Sequence, residues 1–320
     1  MTESDTVAEF RELATGLRFP EGPVAQPDGS VLLVEIERGT LSRVDVDTGE
    51  VSVVADLGGG PNGAAFGPDG AVYVTDNGSF FEWHDADGML FPGSTPPYHD
   101  GGALRRVHLV TGAVDTVVDS CDGHRLVAPN DLVVDAGGGI WFTDHGVQGG
   151  PFADRPSVLY ATADGASVHG AVYGLHSANG IGLSPAGDRL YVAETHPGRL
   201  WAFDIAGAGE VVAGGSPDEP THGGTLLFDA PDGELFDSLA VDGAGWVNVA
   251  ALGHGGIRSV SPDGSIAEHR SLPDMITTNL CFGGPADADP DEWRTAFVTL
   301  SSTGRLVALD WPRPGLRLAF

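Results

Sequence analysis

The sequence predicts an all-β chain folded as a six-bladed β-propeller, and three observations carry that expectation. A short pattern, in which a polar residue leads an apolar run, a Pro/Asp/Gly turn and a second β-rich run, recurs along the whole chain, as the units of a repeat architecture must. Glycine and proline reach 48 and 22 of 320 residues and fall mostly in those turns rather than in low-complexity tracts. No sustained amphipathic helix lies between the copies. Hydrophobic residues make up 41% of the chain, enough to bury a core, so neither disorder nor a collagen-like fibre fits.

The copies begin near residues 21, 62, 130, 179, 237 and 279. Glu21 to Glu35 reads EGPVAQPDGSVLLVE, and Asn62 to Asp76 reads NGAAFGPDGAVYVTD, with the same length and the same central Pro-Asp-Gly. Asn130 to Asp144 reads NDLVVDAGGGIWFTD, Asn179 to Glu194 reads NGIGLSPAGDRLYVAE, and Asp237 to Ala250 reads DSLAVDGAGWVNVA. The sixth copy, Asn279 to Leu300, has a longer turn between the same flanking strands. Each copy is a β-hairpin by its turn chemistry and its β-rich runs. A second hairpin follows each one, beginning at Gly39, Gly102, Ser157, Gly198, Gly256 and Gly304. Two hairpins make a four-stranded blade, so residues 1–320 are expected to form one closed domain although the length alone suggests two. Val7 to Leu17 is expected to add an outer strand to the last blade, which removes an exposed edge; a short N-terminal helix is the alternative. Two insertions, Ser79 to Gly101 with its cluster of aromatic residues and Ala206 to Thr225, are long enough to read as functional loops. The first is a candidate lid.

Composition excludes several function classes. The net charge is −29 and the chain has no lysine, which removes Schiff-base lysine chemistry and the phosphate-loop lysine. So negative a field repels nucleic-acid backbones and anionic lipid. The two cysteines, Cys121 and Cys281, have neither metal-like nor redox-like spacing. Met1 to Glu12 is acidic and lacks a signal-peptide pattern, and no apolar run is long enough to span a bilayer. A cytoplasmic location is the expectation.

The first strand of each propeller blade lines the central channel. Position one of the six copies reads Glu21, Asn62, Asn130, Asn179, Asp237 and Asn279, and every one carries a side-chain oxygen. Asn and Asp are common at turns and strand starts, but six in equivalent places form a ring. Two carboxylates and four amides suit a hard divalent cation, with calcium expected first. Magnesium, manganese or ferrous iron fit such an oxygen cage as well, and zinc fits it less well, because position one holds no histidine or cysteine. The first hairpin returns the chain to the same end of the channel, which places Asn77, His145, His196 and His254 near the ring as substrate contacts or proton carriers. Asp76, Asp144 and Glu194, at the ends of the second strands, read as structural. Trp83 and Phe81 line the mouth if the first insertion folds over it.

These residues resemble the family of senescence marker protein 30, gluconolactonase and luciferin-regenerating enzyme. The resemblance is carried by RFPEGPV (Arg18 to Val24), PNDLVVDAGGGIWFTD (Pro129 to Asp144), SANGIGLSPAGDRLYVAET (Ser177 to Thr195) and FDSLAVDGAGWVNVA (Phe236 to Ala250). It implies a six-bladed propeller hydrolase with a calcium-type site in which Glu21, Asn179 and Asp237 bind the metal. Asn130 becomes a fourth ligand or a substrate contact, Asn62 a substrate contact, and Asp237 also the base or nucleophile. Sugar-lactonase relatives often carry an arginine and an acidic residue where this chain has Ala128 and Gln148, and Arg125 is the candidate substitute. The expected reaction is hydrolysis of a small lactone, with metal as Lewis acid and either Asp237 or a metal-activated water as base. The chain contains no G-x-S-x-G nucleophile elbow. A phosphotriesterase-like esterase on the same metal and a non-catalytic binding propeller are the alternatives.

Overall fold

In the computed structural model, residues 2–147, 155–216, 218, 222–231, 233–285, 288–289 and 292–320 are described. Strands joined by turns make up the described residues, and no α-helix occurs among them. Six sheets, antiparallel except for one added edge strand, form the blades of a propeller. Their innermost strands are Pro20–Ala25, Pro61–Phe66, Pro129–Val134, Ala178–Leu183, Leu235–Val241 and Thr277–Gly283. Each touches the next in that order, and the sixth returns to the first. The ring therefore closes around a channel lined by the starts of the six repeats.

The core is divided among the gaps between blades, as expected when each sheet has two faces to bury. Tyr73 and Leu104 of blade two pack against Ile140 and Phe142 of blade three. Trp141 and Val158 of blade three meet Leu190 and Phe203 of blade four. Phe228 and Phe236 continue the pattern between blades four and five.

Three features of the edges differ from the repeat pattern. Arg11–Ala14 pairs antiparallel with Arg305–Asp310 and supplies the outer strand of blade six, so the chain's beginning fastens its end. Ahead of it, Thr2–Val7 joins Ile266–Ser271 in parallel as a fifth strand of blade five. In blade four the expected outer strand after Gly198 shrinks to the two-residue Glu210–Val211, and Thr225–Asp229 takes the outer position instead. The reason is burial: Leu227 and Phe228 reach the core between blades, whereas Val212 is exposed.

The insertion between the second and third strands of blade two is fastened to the end of the propeller where the repeats begin. Trp83–Ala86 and Met89–Pro92 form a hairpin in it. The Leu90 N–H donates to the Ser302 carbonyl of blade six at 2.8 Å. Leu90 and Trp83 pack with Phe19 and Ile36 of blade one and Ile276 of blade six. The hairpin thus reaches from blade two onto blades one and six around the mouth.

Candidate functional site

Every ring position sits at a break in its own strand. The ladder between first and second strands loses register at Glu21/Val24, Pro61/Ala64, Pro129/Leu132, Ala178/Ile181, Phe236/Leu239 and Thr277/Asn279. A bulge re-aims the side chain it carries, and here it recurs in all six blades beside the channel. Glycine after the ring residue lets adjacent backbones approach. A Cβ on Gly22, whose φ is +50°, would stand 2.7 Å from the Asn62 carbonyl oxygen, and one on Gly180 would stand 2.7 Å from that of Asp237. Threonines on the second strands complete the lock between blades. Thr143 Oγ1 donates to the Asn179 carbonyl at 2.7 Å, and Thr75 Oγ1 donates likewise to the Asn130 carbonyl.

Glu21, Asn62, Asn130, Asn179 and Asn279 are buried, and Asp237 is half-buried. Asn279 Nδ2 donates to Glu21 Oε2 at 2.7 Å, and the Gly22 N–H donates to the same oxygen. Asn179 Nδ2 donates to Thr195 Oγ1 at 3.0 Å, while Ser238 Oγ donates to Asn179 Oδ1 at 3.5 Å. Two buried oxygens, Glu21 Oε1 and Asn130 Oδ1, have no hydrogen-bond partner. An unpaired buried acceptor is costly, and two of them in one ring describe a place for a ligand that accepts lone pairs.

The electrostatics agree. Burial first, then the charges of Asp237 and Asp131, push the Glu21 carboxyl well above its usual range. Burial likewise raises Asp237, with Asp131 adding to the effect and the Asn179 amide opposing it. Asp131, one residue past the ring, is pushed up to about 7 by burial despite the Leu132 N–H and the Ser238 hydroxyl that bond it. A cation relieves this crowding of carboxyls, in which Asp131 raises Asp237 and both raise Glu21. Among the described residues no group of three or more His, Cys, Asp or Glu is arranged to hold a metal ion. The donor set that fits is the mixed one, Glu21 and Asp237 with the oxygens of Asn130 and Asn179, which suits a hard, oxygen-seeking ion.

The strand-end carboxylates do structural work. Asp144 accepts from the Val127 and Ala128 N–H groups at 2.7 and 2.8 Å, Asp76 from Gly60 at 2.9 Å, and Glu194 from His176 at 2.6 Å. Each pins the loop that enters its own blade. His145 and His196 lie together beyond them, with ring centroids 5.8 Å apart. Burial lowers His145 to about 4, so it is neutral at physiological pH, and lowers His196 as well. That shift has a stability sign: the neutral form stabilises the fold fully above the unfolded value near 6.5, and the contribution is lost as pH falls toward 4. Thermal unfolding followed from pH 6.5 to 4.5 is expected to cost the wild type roughly 1–2 kcal/mol more than His145→Gln.

A family model described as the SMP-30/gluconolactonase/LRE-like region matches residues 19–301. The chain belongs to that family. Among its relatives, the gluconolactonase of Zymomonas mobilis is 26% identical over 326 residues, covering 93% of this chain and 80% of that protein. The diisopropyl-fluorophosphatase of Loligo vulgaris is 25% identical over 333 residues, covering 96% and 93%. The solved structure of regucalcin from Agrobacterium tumefaciens, a calcium-binding protein, shares the fold at 18% identity with a TM-score of 0.68, covering 99% of this chain and 100% of that one.

In this SMP-30/gluconolactonase-like chain not every sequence candidate is gathered at the ring. His254 is exposed in blade five, with Nδ1 3.7 Å from Glu234 Oε2, an acid that also bonds the buried Arg258. Arg125 is exposed on the small ribbon between blades two and three, beside Gly101. Trp83 is half-buried against Phe19, with ring centroids 4.9 Å apart. Gln148 lies outside the described residues. Four contributors were absent from the sequence reading: Asp131, Ser238 and the threonines Thr75 and Thr143. The threonines had a visible signal, since VYVTD and WFTD repeat the same Thr-Asp ending.

Proposed function

We propose that this chain is a metal-dependent lactonase whose divalent cation, calcium first, is held by Glu21, Asn130, Asn179 and Asp237. The unpartnered pair of buried oxygens on Glu21 and Asn130 carries the reading. Asn62 and Asn279 complete the ring; Asn279 holds Glu21 in place through its amide. When bound, the ion supplies Lewis acidity toward the carbonyl oxygen of the ester. Asp237, the ring carboxylate least enclosed by protein, accepts a proton from the water whose oxygen attacks the carbonyl carbon. The ring C–O bond then breaks, and the proton passes to the departing alkoxide, leaving a hydroxy acid. Ser238 orients Asn179 through its hydroxyl, and Asp131 bonds Ser238 behind it. His145 and His196, neutral and at the same end of the channel, offer hydrogen bonds to the substrate rather than charge.

Phosphotriester hydrolysis is the second reading, favoured by the fluorophosphatase relative, because the same Lewis acid acts on P=O. A panel of aldonolactones, aliphatic lactones and a paraoxon-like triester separates the two. Lactone kcat/KM is expected to exceed that of the triester; the reverse order transfers the assignment to phosphotriesters, and no turnover of any ester points to a binding propeller.

A further inference from the structure

The mouth of the channel has an apolar half. Phe19 and Trp83 stand 4.9 Å apart by ring centroids, Trp83 and Phe81 5.8 Å, Phe81 and Phe80 5.0 Å, Phe80 and His145 6.2 Å, and His145 and His196 5.8 Å. These six rings form one unbroken arc across blades one to four. Its two ends are tied to the ring of oxygens. Phe19 lies two residues before Glu21, and His196 follows Thr195, whose hydroxyl holds the Asn179 amide. The arc is built at a cost: Phe19 occupies the left-handed region at φ 57°, which a bulky residue seldom enters, and such strain is kept where a site needs it. Phe81, Trp83 and His145 are only partly covered, so each keeps some surface open to solvent. On the side of blades five and six the groups are mixed: His254 lies beside Glu234, and Ser302 and Thr303 bond Asp274, while Met275 is exposed and Ile276 packs with the hairpin.

Resting on the lactonase reading for where the ester sits, we propose that the aromatic arc selects lactones bearing an alkyl or aryl substituent over polyhydroxylated ones. A sugar lactone presents hydroxyls in every direction and would leave some of them unpaired against Phe81 and Trp83, a penalty an apolar substituent does not carry. Flat ring faces also stack on or enclose a hydrocarbon chain without needing a directional partner. Phe81 and Trp83 are specificity-determining residues on this account, and the buried Phe80, in edge contact with Phe81, positions it.

The test compares kcat/KM for δ-lactones carrying hexyl or phenyl groups with that for glucono-1,5-lactone, in the calcium-loaded full chain. The substituted lactones are expected to lead by at least about tenfold. Trp83→Ala is expected to shrink that ratio about tenfold through KM, and Trp83→Phe to restore most of it, a pattern that a general loss of packing does not give. Equal or better turnover of gluconolactone, or a ratio unmoved by Trp83→Ala, overturns the proposal. Binding of the matching lactams, read by calorimetry, needs no turnover. If no lactone is hydrolysed yet the hexyl lactam binds at least about tenfold tighter than the hydroxylated one, the lactonase reading fails and the selectivity stands. If the lactams bind alike, the selectivity fails too.

Discussion

At saturating calcium, Asp237→Asn is expected to lower kcat on a lactone by about 10²–10⁴-fold, the usual worth of a positioned general base. Asparagine keeps an oxygen donor and the size of the side chain while removing its proton affinity; losing one carboxylate weakens the hold on calcium, and saturating calcium keeps the site filled, so fold and bound metal persist in the assay. A second consequence separates this loss from simple damage. Without metal, Asp237 is a half-buried carboxyl that suffers from desolvation and from Asp131 and itself raises Glu21. Removing its charge is therefore expected to raise the melting temperature of the metal-free protein. Calorimetric melting of both chelated proteins, beside steady-state kinetics with calcium, reads the two effects. Activity within tenfold of wild type removes Asp237 as the base.

Calcium itself is expected to stabilise the fold strongly. A ligand that binds only the native state at a thousand times its Kd adds about 4 kcal/mol, and about 2–4 °C per kcal/mol for chains somewhat shorter than this one makes a rise of about 8–16 °C. The gain comes from relieving the repulsion among Glu21, Asp131 and Asp237 and from giving Glu21 Oε1 and Asn130 Oδ1 a partner. Glu21→Gln is expected to lose most of the calcium-dependent rise. A melting temperature indifferent to calcium and to every other divalent ion in both proteins contradicts a metal ring.

The innermost strands were legible because their pattern is dictated locally. Each begins with an oxygen-bearing residue, and in half of the blades that residue is followed by a glycine that admits the neighbouring backbone, as at Gly22 and Gly180. The residues that lock the ring were harder to read. Thr143 acts on a carbonyl 36 residues away, in the next blade, and only closure of the ring brings them together. Asp131 sits beside a ring residue and resembles the start of an ordinary strand; its charge matters because the bulge at Pro129/Leu132 turns this stretch toward the axis. The outer strands were the least legible. TESDTV has no apolar alternation, residues 3–7 are exposed, and its place on blade five is set by an available sheet edge rather than by its own pattern. In blade four the sequence EVVAG has β propensity, but TLLFD has the residues that fill the gap between blades.

The central claim is that lactone chemistry depends on an ion held by the oxygens of Glu21, Asn130, Asn179 and Asp237. The most direct measurement follows turnover of one lactone by one sample as calcium-loaded protein, after chelation, and after calcium is returned, with circular dichroism at each stage. The account predicts that turnover falls at least about a hundredfold on chelation, while β-structure persists, and that it recovers with calcium. Undiminished turnover in protein shown to be metal-free would contradict it.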